Sequence, residues 1–127
     1  VQTIVGGDLS LLDAFFSASI RAGVLGGDIY VATEETNGTM IRGMALWWRP
    51  GVEPFSTEEQ QRELHPFLSK LGPEAQEWHS TIASPSDYFA NLTEKLLGSR
   101  GKLDSWYLNL LAVDPDHRRR GVARALI

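Results

Sequence analysis

The residues best suited to chemistry lie near the end of the chain, where an apolar run precedes a proline, a basic stretch and a glycine. Residues 106–113 (WYLNLLAV) are typical of a buried, central strand, which Pro115 ends. The pattern turns helical from Arg119, with Gly121 at the helix start. This order directs free backbone N–H groups at one point and adds the positive end of a helix dipole. Such a turn readily binds phosphate groups.

Arginines surround this turn and strengthen the same prediction, because guanidinium groups form charge-assisted hydrogen bonds with phosphate oxygens. They are Arg118, Arg119, Arg120 and Arg124, from a total of 12 Lys and Arg in the chain. Gly121 has no Cβ and therefore lets a diphosphate approach the backbone, and Ala123 keeps the next turn small. The sequence thus predicts a diphosphate-binding loop over residues 118–123.

The spacing Val113-x-Pro115-x-x-Arg118-x-x-Gly121-x-Ala123 resembles the coenzyme A signature of the GNAT superfamily of N-acetyltransferases. That signature is R/Q-x-x-G-x-G/A after a strand ending in V-x-P. The resemblance implies an α/β GNAT fold, a mixed and mostly antiparallel sheet flanked by helices. Residues 1–127 would form one such domain without the C-terminal strands and helix of the fold, and the coenzyme A motif would span 111–124. The helical stretch at about 56–98 resembles an insertion of fungal-type members.

The resemblance also implies roles for individual positions. Backbone groups of Leu111, Ala112 and Val113 would pair with the pantetheine arm of acetyl-CoA, and Arg118 would anchor the loop and face the phosphates. The reaction would transfer an acetyl group from acetyl-CoA to an amine. The pyrophosphate would be cradled by the backbone N–H groups of Arg118, Arg119, Arg120, Gly121, Val122 and Ala123.

Two candidates for the catalytic positions lie on the strand before the signature. Acetyl transfer needs a base for the amine and an acid for the departing thiolate. In the family the base often lies here, and the matching positions are Tyr107 and Asn109, which by strand alternation share a face with Leu111. Asparagine does not titrate and a phenol ionises only near about pH 10, so they are expected to orient a water or the acceptor. The usual acid, a later Tyr, would lie beyond Ile127.

Composition limits the classes of protein that the chain can represent. With 127 residues, 43% of them hydrophobic and 22% charged, it suits one globular domain. The absence of cysteine excludes disulfides, cysteine-ligated zinc and a cysteine nucleophile, and the three scattered histidines predict no metal site. No apolar run approaches about 18 residues and no signal peptide is visible. The expected location is the cytoplasm, with the nucleus left open.

The elements before the motif follow from local signals. Asp8 is predicted to cap a first helix and Gly23 to end it, and Asp28 to Thr33 are predicted to form a strand. Asn37-Gly38 predicts a hairpin turn into a return strand from Met40 to Trp48. Apolar residues on both faces of that return strand, among them Trp47 and Trp48, predict a sheet covered on both sides.

The stretch from 56 to 98 is predicted to be helical, with two capping boxes and a break. Ser56 with Glu59 forms the first box, and Pro66 predicts a kink or two short helices. The second capping box is formed by Ser84 and Asp87, with Pro85 at the first helical position. The chain stops within an apolar helical pattern, as expected for a segment of a longer polypeptide.

Three functions remain open. The favoured one is an acetyl-CoA-dependent N-acetyltransferase with an amine substrate, which is a small molecule or a protein. The second is a non-catalytic acyl-CoA-binding module with the same fold, and the third is a nucleic-acid-binding fragment that uses the arginines. The net charge of −4 disfavours the third, and neither a membrane nor a nucleic acid is expected as a partner. The acceptor and the oligomeric state are not indicated.

Overall fold

The chain forms a mixed α/β structure around a three-stranded antiparallel sheet, seen in a computed structural model that describes residues 4–34, 40–81 and 92–127. The strands are β1 (Asp28–Thr33), β2 (Ile41–Trp48) and β3 (Tyr107–Val113), in the order β1-β2-β3. The prediction of a mixed α/β architecture with an antiparallel pairing is confirmed. The prediction that β3 is central is wrong, because β2 occupies the centre of the described sheet and β3 its edge.

Helices precede, separate and follow these strands. Residues 92–97 are also helical. The predicted hairpin turn at Asn37-Gly38 and the second capping box, at Ser84 and Asp87 with Pro85, lie outside the described residues. The named helical elements are a 3₁₀ turn (Leu9–Leu11), α1 (Leu12–Gly26), α2 (Glu58–Leu68), α3 (Pro73–Thr81), a second 3₁₀ turn (Pro115–His117) and α4 (Val122–Leu126).

The first helical segment confirms its predicted start and corrects its predicted end. The Asp8 carboxylate accepts a hydrogen bond from the Ser10 N–H at 2.9 Å and so caps the 3₁₀ turn that leads into α1. Gly23 does not stop the helix, which continues to Gly26. A Cβ on Gly23 would lie 2.6 Å from the Leu46 Cδ1, so this glycine permits close packing of α1 on the sheet.

The helical region after β2 begins one residue later than the predicted capping box. Thr57, not Ser56, is the N-cap of α2: its hydroxyl accepts from the Gln60 N–H at 3.2 Å. Gln60 Oε1 in turn accepts from the Ser56 N–H at 3.0 Å, one residue before the N-cap, whereas a capping box would bond the N–H of the N-cap itself. Two helices are present, as one alternative of the prediction has it, but Pro66 does not separate them: α2 continues past it to Leu68, and α3 begins at Pro73.

Each face of the sheet contacts a helix, but the predicted cover on both sides is only partial, because Tyr30 on the α4 face remains 53% exposed. On one face α1 packs over Leu46, and the helical layer continues into a core of Val5, Ala18 and Phe67. On the other face Trp47 Nε1 donates to the Leu126 carbonyl of α4 at 3.1 Å. The short α4 is therefore held against the middle of the sheet.

One helical stretch, Leu9–Gly26, is long and apolar enough to cross a membrane by length and mean hydropathy alone. The sequence predicts no such span; the stretch contains two charged residues, Asp13 and Arg21. Ala18 and Ala22 within it are buried, and both a core helix and a signal sequence near the N-terminus pass the same test.

Candidate anion-binding site

The chain leaves β3 through a tight turn and two left-handed residues before α4 begins. Asp114 caps the 3₁₀ turn by accepting from the Asp116 N–H at 3.1 Å. Arg119 then has φ 60° and Gly121 φ 82°. The prediction that helix begins at Arg119 is wrong, because a left-handed residue cannot continue a right-handed helix. Gly121 does stand immediately before the helix, at the N-cap of α4.

A run of backbone N–H groups in this turn makes no hydrogen bond within the described part of the chain. It includes Arg119, Arg120 and Gly121, and continues into the first turn of α4, where N–H groups have no intrahelical partner. The first bond of the helix is donated by Ala125 to the Gly121 carbonyl at 3.0 Å. The Arg118 N–H is engaged, since it donates to the Pro115 carbonyl at 3.4 Å. The predicted cradle is thus open from Arg119 onward and not at Arg118.

Gly121, in the left-handed region, is followed directly by Val122, the first residue of a right-handed helix. Successive N–H groups converge on one point where left-handed and right-handed backbone conformations alternate, and such a nest binds anions. Gly121 suits its position because side-chain-bearing residues rarely adopt φ near 82°. A Cβ there would meet nothing within 4 Å, so the backbone conformation, rather than crowding, requires glycine, and the space in front of it is open.

The basic side chains around the turn are exposed and uncommitted. Among the described residues, none of them takes part in an ion pair within 4 Å, in contrast to Arg42 and Arg49, which are both paired with carboxylates. Their charges are therefore available to a ligand. The uncommitted arginines are Arg118, Arg119, Arg120 and Arg124.

A charged cluster holds the start of the turn. Asp114 Oδ2 accepts from Arg42 Nη1 at 3.1 Å and contacts His117 Nδ1 at 3.0 Å. The hydrogen bond from the Asp116 N–H, aided by Arg42 and His117, lowers the pKa of Asp114 below its ordinary value. Arg42 Nη2 also donates to Glu34 Oε2 at 2.7 Å, and this contact lowers the pKa of Glu34. No motif in the sequence marks this cluster, which joins Glu34 and Arg42 to the distant Asp114 and His117.

The strand β3 carries a bulge at one of the predicted catalytic positions. In the antiparallel register Leu46 faces Leu110 and Trp47 faces Leu108, so Asn109 is the extra residue. A bulge shifts the alternation of side chains along the strand that carries it.

The prediction that Tyr107, Asn109 and Leu111 share one face of the sheet is therefore wrong. Tyr107 lies opposite Trp48 and Leu111 opposite Ala45, and these two β2 residues point to opposite faces. Tyr107 is exposed, whereas Asn109 Oδ1 is buried and accepts no hydrogen bond within the described ranges. Asn109 can thus receive a donor, but neither residue is a base.

The predicted pantetheine contacts lie along an open edge. Among the described strands, β3 pairs with β2 on one side only, so alternate N–H and C=O groups on its other side have no strand partner. Leu111 and Ala112 are exposed and Val113 is half-buried. This edge can accept an extended, amide-bearing chain, and it leads directly into the turn.

An aromatic groove of about 490 Å³ opens on the face of the sheet that α4 covers. The Trp47 and Trp106 rings meet there edge to face, with centroids 6.5 Å apart, and Tyr30 and Leu126 complete much of the lining. Trp48 points the other way and is fully buried. The two adjacent tryptophans therefore differ in role: Trp47 lines a groove, and Trp48 is part of the core.

Comparisons with protein-family models, with curated proteins and with solved structures give no match to this chain. Within the described ranges, no group of His, Asp or Glu side chains is arranged to hold a metal ion. The features that could bind a ligand are the turn between β3 and α4, the arginines around it and the open edge of β3.

Proposed function

We propose that the chain is the cofactor-binding part of a GNAT-type N-acetyltransferase, which transfers an acetyl group from acetyl-CoA to an amine. The run of uncommitted N–H groups from Arg119 into α4 carries the proposal. A diphosphate presents several oxygens to such a run, and the uncommitted arginines supply compensating charge. A single antiparallel sheet with a helix directly after the turn is consistent with the GNAT fold.

The open edge of β3 accounts for the remainder of the cofactor in this proposal. The pantetheine arm carries amides, and an extended amide chain adds to a free sheet edge through main-chain hydrogen bonds. The Asp114 N–H bonds the Arg42 carbonyl, so by strand alternation Leu111 and Val113 direct their backbone groups to the open edge and would supply these bonds, whereas those of Ala112 face β2. The arm would then run from the diphosphate in the turn toward Asn109, which brings the thioester near the bulge.

The chemistry at that point is a direct transfer. The amine nitrogen attacks the thioester carbonyl carbon, the carbon–sulfur bond breaks, and a proton passes from the nitrogen to the released thiolate. Asn109 Oδ1 would accept a hydrogen bond from the amine or from a water and so orient it. Tyr107, which lies two residues before Asn109 on β3 and faces Trp48 of β2, is the second candidate for orienting the acceptor.

Coenzyme A binding gives the first test of this function. Thermal unfolding is measured with coenzyme A and with pantetheine, which lacks the diphosphate. Coenzyme A at 100 times its Kd should stabilise the protein by about 2.7 kcal/mol, and pantetheine by much less. Acetyl transfer is then followed by thiol release with a panel of amines. Absence of stabilisation by coenzyme A would refute the proposal.

A second function, binding without catalysis, is favoured by one observation: Tyr107 and Asn109 offer no base. In that case coenzyme A stabilises the protein as above, but no amine in the panel accelerates thiol release from acetyl-CoA. Turnover that falls on substitution of Asn109→Ala, with coenzyme A affinity retained, would exclude this second function and support an orienting role for Asn109.

A further inference from the structure

We propose that Arg42 and Gly43, consecutive residues of β2, are positioning residues that hold the two ends of the anion-binding turn in its binding conformation. This inference depends on the proposed function, because it concerns the same turn. Neither residue belongs to the motif, and neither is proposed to touch the ligand.

Arg42 holds the start of the turn through two independent contacts. Its carbonyl accepts from the Asp114 N–H at 2.9 Å, and its guanidinium donates to Asp114 Oδ2 at 3.1 Å. Asp114 in turn restrains the residues that follow it, because its carboxylate also contacts the Asp116 N–H and the His117 ring. The direction in which the chain leaves β3 is therefore fixed from β2.

The guanidinium of Arg42 is itself fixed. Arg42 is the extra residue of a bulge between β1 and β2, because Ala32 faces Gly43 while Thr33 faces Ile41. Bulges re-aim a side chain, and here Arg42 reaches carboxylates beyond the ends of both neighbouring strands. Its Nη2 and Nε donate to Glu34 Oε2 at 2.7 and 3.3 Å, while Nη1 remains for Asp114. An ammonium group lacks this planar fork.

Gly43 holds the end of the turn by having no side chain. A Cβ on Gly43 would lie 2.6 Å from Val122 Cγ1 and 3.1 Å from the Ala112 carbonyl oxygen. The backbone of Gly43 is outside the left-handed region, so crowding alone requires glycine here. Val122 opens α4, so the helix start rests directly on the backbone of β2.

Between these two attachments the turn has little support of its own. The Arg119, Arg120 and Gly121 N–H groups are unbonded within the described part of the chain, and the basic side chains are exposed. The positions of the binding N–H groups are consequently determined by the ends of the turn. A misplacement of about 1 Å at a binding group can reduce function about 100-fold.

Two substitutions test the two attachments separately, each with a matched control. Arg42→Lys keeps the charge but removes the fork, and Arg49→Lys does the same at an Arg–Asp pair outside the turn. Gly43→Ala introduces the clash, and Gly72→Ala adds a methyl group where nothing lies within 4 Å. Inorganic pyrophosphate is the ligand, titrated by calorimetry. Amide ¹⁵N–¹H spectra of the free proteins report the turn directly.

The expected result is a loss of pyrophosphate affinity of about 10-fold or more in Arg42→Lys and Gly43→Ala, with shifted amide resonances for residues 119–123. Both controls should retain wild-type affinity and spectra. The double variant Gly43→Ala, Val122→Ala removes the clashing Cγ1 and should recover part of the affinity. This double variant also provides the test if Gly43→Ala alone does not fold.

The outcomes separate this inference from the proposed function. Wild-type affinity together with unshifted turn resonances in Arg42→Lys and in Gly43→Ala would overturn the positioning role. A double variant that recovers none of the affinity lost in Gly43→Ala would overturn the part of it assigned to Gly43. A purely structural role would lower the melting temperature without changing the affinity of the folded protein. If wild type binds pyrophosphate but not coenzyme A, and the variants lose pyrophosphate affinity as expected, the proposed function fails and the positioning role stands.

Discussion

Gly121 is the residue at which the backbone conformation of the turn and the proposed coenzyme A binding are most directly linked. It has φ 82°, and the space where its Cβ would lie is open. A side chain at this position costs roughly 1–2 kcal/mol in backbone conformation. The same side chain would also enter the space in front of the uncommitted N–H groups. A substitution therefore has two effects, one on folding and one on binding, and a suitable control separates them.

Gly121→Glu is expected to abolish coenzyme A binding, because its carboxylate would occupy and repel the diphosphate position. Gly51→Glu is the control: Gly51 has φ 84° and an equally open Cβ position, but lies outside the turn. Both variants should lose similar stability, whereas only Gly121→Glu should lose affinity in calorimetry. Equal affinities for the two variants would show that the turn is not the binding site.

At the scale of elements, the 3₁₀ turn Pro115–His117 depends on the charged form of its cap. The pKa of Asp114 is lowered in the folded protein by the Asp116 N–H, Arg42 and His117. The unfolded chain therefore binds the proton more readily, and Asp114 stabilises the fold at pH values above its ordinary pKa of 3.8. This contribution is lost as the pH falls from there through the folded-state pKa.

Asp114→Asn should accordingly have a lower free energy of unfolding than wild type at neutral pH, and the two values should converge in strong acid. Urea unfolding between pH 7 and about pH 2 measures this convergence. Asp116→Asn is the control, because Asp116 contributes its backbone N–H rather than its carboxylate to the turn. A difference in unfolding free energy between wild type and Asp114→Asn that stays constant over this pH range would contradict the assignment.

The elements predicted most accurately from the sequence are those whose ends are marked by residues close to them in the chain. The strand Asp28–Thr33 matches its prediction, and β2 and β3 each begin one residue later than predicted. These runs are rich in apolar and β-branched residues and are bounded by Gly, Asn or Pro, which are strong local determinants. The glycine before α4 was predictable for the same reason.

The remaining features depend on contacts between distant parts of the chain. Gly23 looks like a helix stop, but its packing against Leu46 keeps it inside α1. The bulge at Asn109 could not be predicted, because β3 is apolar on both faces and a shift in alternation leaves no trace in such a run. The contact of Arg42 with Asp114 joins positions with no common motif. The uncommitted N–H groups of the turn, by contrast, were predictable from the Pro-to-Gly spacing.

For the whole molecule, charge is distributed unevenly. The formal net charge is −4, yet four uncommitted arginines border one turn. The basic field is therefore local, and salt screens it over about 10 Å at 0.1 M. Such a distribution favours a compact anion over an extended polyanion, which would meet the acidic remainder of the surface.

Coenzyme A affinity should consequently fall as NaCl rises from 0.05 to about 0.5 M, and Arg119→Ala should show a weaker salt dependence. Calorimetry across this range measures both. A labelled single-stranded oligonucleotide serves as the comparison in fluorescence anisotropy and should bind weakly. Tight oligonucleotide binding that is lost in Arg119→Ala and unaffected by coenzyme A would instead favour the nucleic-acid function.

The bulge at Asn109 has a geometric consequence for anything that lies beside β3. A bulged strand bends and twists more strongly at the extra residue. A straight strand placed against the open edge could therefore follow β3 on one side of Asn109 only, and the two would diverge on the other side. Divergence of this kind leaves a wedge-shaped slot, narrow at the bend and wide at the end, with backbone polar groups along both walls.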